Sequence, residues 1–94
     1  VGRLCFQKKQ IANIAEYLKN KYFNGDVEPH ELAVTIISMV VAGKITEDDA
    51  AFIFSKVFLG NIDGARRALK KAEKVLSDSA LNDIIKTVEK RLQK

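Results

Sequence analysis

Residues 29–43 read PHELAVTIISMVVAG, and whether this stretch is helix or strand decides the fold. It carries Leu32, Val34, Ile36, Ile37, Met39, Val40 and Val41, several of them β-branched and therefore weak helix formers on their own. Its ends are helix punctuation. Pro29 stands at a first-turn position where its missing N–H costs nothing, and Gly43 follows as a stop after about Ala42. Tertiary packing must then decide for helix. Because this helix is apolar on nearly all sides, it is expected to be the buried central one.

The rest of the chain keeps the helical period. Phe6, Ile11, Ile14, Ala15, Leu18 and Tyr22 recur at three- and four-residue steps, and Asn24-Gly25 closes that helix. Thr46 reads as an N-cap for the N–H of Asp49, with Glu47, Asp48 and Asp49 at the positive helix end. Ala50, Ile53, Phe54, Val57 and Phe58 form the third stripe, which Gly60 ends. Asp63 is the expected cap of a fourth helix whose inward face is Ala65, Ala68, Leu69, Ala72, Val75 and Leu76. Ser77-Asp78-Ser79 breaks the chain before a fifth stripe of Leu81, Ile84, Ile85, Val88 and Leu92. The expected fold is all-α: a compact bundle of about five short antiparallel helices with helix 2 central.

A chain of 94 residues, 47% hydrophobic and 30% charged, has the make-up of one globular domain spanning 1–94. One Cys excludes an internal disulfide framework, and one His argues against most metal sites. The apolar run from Leu32 to Ala42 is about half the length of a bilayer span and contains Thr35 and Ser38. No membrane partner is expected. With no signal-peptide pattern visible, the expected location is cytoplasmic.

Charge is segregated. The net charge of +4 divides into +4 over residues 1–24, −3 over 25–43, −1 over 44–60 and +4 over 61–94. At about 100° per residue, Arg66, Arg67, Lys70, Lys71 and Lys74 fall in an arc of roughly 140° opposite the Ala-Leu-Val stripe of helix 4. Such a face can neutralise phosphates or an acidic protein surface. The plain alternative is a solvated outer face. Against it stand like charges at i,i+4, which destabilise by a few tenths of a kcal/mol each, where a solvent face would interleave Glu. If helix 1 lay beside helix 4 or 5, the two basic ends would merge.

Other features carry less. Tyr17, Phe23 and Phe52 lie off the apolar stripes, as second-face packing or as a patch for a protein partner. Helices 3 and 4 could form a helix-turn-helix, although the segment Leu59 to Asp63 is long for that turn. Gly60-Asn61-Ile62-Asp63 with Ala65, Ala68 and Leu69 resembles the junction and first helix of a tetratricopeptide unit over about twenty residues. Catalysis finds little material. Cys5 has no paired His, His30 sits in a first helical turn, and Asp48-Asp49 is explained by capping. No enzyme activity, cofactor, metal or small-molecule substrate is expected.

The chain opens Val1-Gly2, as a GTG start codon read literally would give, and its C-terminal third is rich in Lys and Arg. With five expected helices at this length, its overall character resembles the small helical accessory subunit of crenarchaeal family-B DNA polymerase holoenzymes. That resemblance implies a non-catalytic replication factor whose partner is the polymerase catalytic subunit or another replication protein. DNA is a further possible contact of the basic helix. A stand-alone DNA-binding protein and a structural or oligomerising bundle are the alternatives.

Overall fold

A computed structural model describes residues 7–76 and 78–92. The expectations placed on Val1-Gly2, Arg3, Cys5, Phe6 and Ser77 lie outside the described residues. Five helices follow in order: α1 (Lys8–Phe23), α2 (Pro29–Val41), α3 (Glu47–Val57), α4 (Ile62–Leu76) and α5 (Ser79–Leu92). Among the described residues there is no strand.

The punctuation falls largely where the sequence puts it. Gly25 and Gly43 stop α1 and α2 in the left-handed region, at φ of 78° and 76°, where a side chain would be strained. Pro29 opens α2, and the N–H of Glu28 donates to the Glu31 carboxylate over 2.7 Å. Thr46 caps α3 as expected: its Oγ1 accepts from the N–H of Asp49 at 3.1 Å, and its own N–H donates to the Asp49 carboxylate at 3.2 Å. At α5, Asp78 Oδ1 accepts from the N–H of Ala80 at 2.9 Å.

The cap of α4 is a correction. Asn61, not Asp63, does the work, its Oδ1 accepting from the N–H of Gly64 at 3.1 Å while its carbonyl accepts from Ala65. Asp63 already lies inside the first turn. There its charge faces the positive helix end without closing it.

α3 packs chiefly against α1 and α5, while α2 packs chiefly against α4; both α2 and α3 touch every other helix. One apolar core draws on all five helices, with Phe54, Leu32, Ile36, Ile37, Ile53 and Leu69 among its largest fully enclosed side chains. No polar or charged residue is buried among the described residues. The Cα radius of gyration, 12.3 Å, matches the roughly 12 Å of a compact chain this long.

Two stripe assignments change. α2 buries Leu32, Ala33, Ile36 and Ile37, leaves Val34, Met39 and Val40 half-buried, and exposes Val41. It is therefore covered on one side rather than nearly all round. On α4, Val75 is 60% exposed and Leu76 only partly buried, because the inward stripe ends at Ala72.

α1 does not pack against α4 or α5. The condition for merging the two basic ends of the chain is not met.

Candidate functional site

The site begins with the small side chains of α4. Ala65, Ala68, Leu69 and Ala72 are buried, and three alanines in that stripe let the helix settle closely onto α2 and α5. Seating that stripe turns the opposite face to solvent. Arg67, Lys70, Lys71 and Lys74 together line one open depression of about 430 Å³ on that face. Four of the five basic residues read from the sequence therefore share one surface.

Arg66 leaves them. It is half-buried, and its Nε lies 3.8 Å from Glu89 Oε2 on α5, a carboxylate whose side chain is only 18% exposed. That Nε is enclosed without a hydrogen-bond partner, so the contact is an ion pair and not a bond. Glu73, one heptad beyond Arg66, falls on the same flank of the helix, within about 20° of it. Arg66 thus ties α4 to α5, while Arg67, Lys70 and Lys71 make no ion pair among the described residues. Asp63 is the one acid in the arc itself, at its N-terminal foot.

The ridge borders a second feature that sequence reasoning missed. A groove of about 330 Å³ lies between the start of α2, the end of α1 and the first turns of α4. Tyr22 and Phe58 contribute aromatic rings, His30 and Asn61 contribute polar groups, and Arg67 and Lys71 contribute charge. Glu28 also lines it. The two rings stand 5.2 Å apart between centroids and are tilted by 50°, an arrangement that holds Tyr22 in place. Gly64 lines the groove as well. A Cβ there would come to 3.0 Å from the Asn61 amide, so a side chain at this position would press on the capping residue. No sequence signal could have revealed this groove, because Tyr22 and Lys71 are nearly 50 positions apart.

Of the two readings open for the off-stripe aromatics, exposure is the one found: Tyr17, Phe23 and Phe52 all face outward. Two of them are already covered by cations. Lys21 Nζ lies 5.4 Å from the Tyr17 ring centre and Lys56 Nζ 5.5 Å from that of Phe52. Phe52 and Lys56 also line a groove of about 370 Å³ against α1, together with Leu59. The helix-turn-helix reading loses its packing. The linker 58–61 between α3 and α4 is shorter than expected, yet α4 rests on α2 and α5 and only lightly on α3.

Asp48 does more than sit near a helix end, since its Oδ1 lies 2.9 Å from Arg91 Nη1 on α5. Among the described residues no group of three or more His, Cys, Asp or Glu could hold a metal ion. No helix there is long and apolar enough to cross a membrane. No family model, curated protein or solved structure matches the chain.

Proposed function

We propose that this chain is a non-catalytic binding module that meets a polyanionic partner with α4. In this reading it is an accessory subunit of a cytoplasmic DNA polymerase complex. The single observation that carries the reading is the cluster of Arg67, Lys70, Lys71 and Lys74 on one open surface, with the first three in no ion pair among the described residues. Cations crowded on one face repel one another, and a polyanion relieves that repulsion while releasing its own counterions. The polymerase assignment rests on the overall likeness of the sequence to such subunits. Beneath the ridge the bundle is read as antiparallel with α2 as its central support, which the close packing of α2 with α4 favours.

The stand-alone DNA-binding reading uses the same ridge and differs in the affinity it demands of the isolated chain. Titration of the purified chain with the family-B polymerase catalytic subunit of its own organism, and separately with DNA, distinguishes them. For the subunit, Arg67→Glu with Lys71→Glu abolishes a stable polymerase complex, while the isolated chain binds DNA weakly at physiological salt. Micromolar or tighter DNA binding without a polymerase complex favours the stand-alone binder. Unchanged behaviour of the double variant in both assays returns α4 to a solvated surface.

A further inference from the structure

We infer that the groove at the end of the ridge is a subsite for one unpaired base of a nucleic-acid strand, whose phosphates run along α4. This deepens the polyanion-binding reading and rests on it. Arg67 and Lys71 line both the groove and the open basic depression, so a strand held by the ridge passes the groove mouth. The groove offers what the depression lacks: the half-buried Tyr22 ring, backed by the buried ring of Phe58, with His30 and Asn61 beside it. Aromatic faces are the general means of holding unpaired bases, and polar groups beside them meet base edges.

Shape selects the class of nucleic acid. A concavity of about 330 Å³ admits a single base that has left its stack. The paired bases of a duplex cannot enter it, and duplex would engage the ridge through phosphates alone. Glu28 at the rim works against a second phosphate inside the groove, so the charge of the strand stays on the α4 side.

The test uses the full chain with a twelve-nucleotide single strand carrying one 2-aminopurine, and with the duplex of the same sequence. Stacking on an aromatic ring makes the single strand bind about tenfold more tightly than the duplex, and 2-aminopurine emission changes on binding. Tyr22→Leu removes that preference and the emission change. Because Tyr22 also packs on Phe58, His30→Asp is the second variant; it puts a negative charge at the start of α2, where the helix dipole favours it. It should weaken single-strand binding severalfold and duplex binding less, because the duplex meets the ridge cations but not the groove. Lys70→Glu, outside the groove, should weaken both.

Equal affinity for single strand and duplex, with Lys70→Glu weakening both, overturns the base subsite and leaves the ridge reading standing. No nucleic-acid binding at all removes the subsite and the ridge's role in DNA contact together. Binding of free deoxyadenosine monophosphate as tight as that of the strand replaces the strand with a free nucleotide. A poly-glutamate peptide that binds as tightly as the strand, independently of Tyr22, overturns the proposal in favour of an acidic protein.

Discussion

At the scale of single residues, the backbone at Leu59 is the point of tension. It is the only non-glycine in the left-handed region among the described residues, at φ 53°, and 65% of its surface is exposed. An L side chain in that region costs roughly 1–2 kcal/mol, and little burial offsets it here. Leu59→Asn, which tolerates the conformation, should raise stability by about 0.5–1 kcal/mol in denaturant unfolding. A lower midpoint would mean that Leu59 packs more than its exposure suggests. Thr46→Ala should cost about 1 kcal/mol in the same assay, since it leaves the N–H of Asp49 without its acceptor. Thr46 was legible because a hydroxyl three residues before an acid is a local signal. Asn61 was not, since Asp63 two positions on offers the same chemistry and only the backbone path chooses between them.

The helices show where pattern suffices and where it does not. All five stripes were readable from periodicity, and the starts at Pro29 and Glu47 from capping chemistry. How much of a stripe is buried depends on what lies opposite, as Val41 and Val75 show: both continue a periodic run, and both face solvent. Ile37 is fully enclosed, so Ile37→Asp should abolish the cooperative unfolding transition by placing an unpartnered charge in the core. A near-native melt would refute the placement of α2. On α4 the two adjacent arginines should separate. Arg66→Ala loses the contact to Glu89 and should destabilise by up to about 1 kcal/mol, whereas Arg67→Ala should stay within about 0.5 kcal/mol. Equal effects would contradict the division between a structural Arg66 and a ligand-facing Arg67. Sequence angle alone put both in one arc. Only the arrival of α5 with Glu89 distinguishes them.

For the whole molecule, the arrangement of helices decides what the charge can do. The sequence located two basic ends and an acidic middle but not their neighbours. With α1 packed on α3 and not against α4, the α1 helix does not flank the ridge, and the working surface narrows to one helix and the groove beside it. That groove joins the end of α1, the start of α2 and the start of α4, so it exists only once the bundle has closed.

The most direct measurement is the salt dependence of single-strand binding for the native chain and for Arg67→Glu with Lys71→Glu. Arg67, Lys70 and Lys71 on phosphates give a log–log slope of about −2, at roughly −0.7 per contact. Reversing two of them should at least halve the slope while the thermal unfolding transition stays in place. Identical slopes for the two proteins, both folded, would contradict a polyanion-binding ridge on α4.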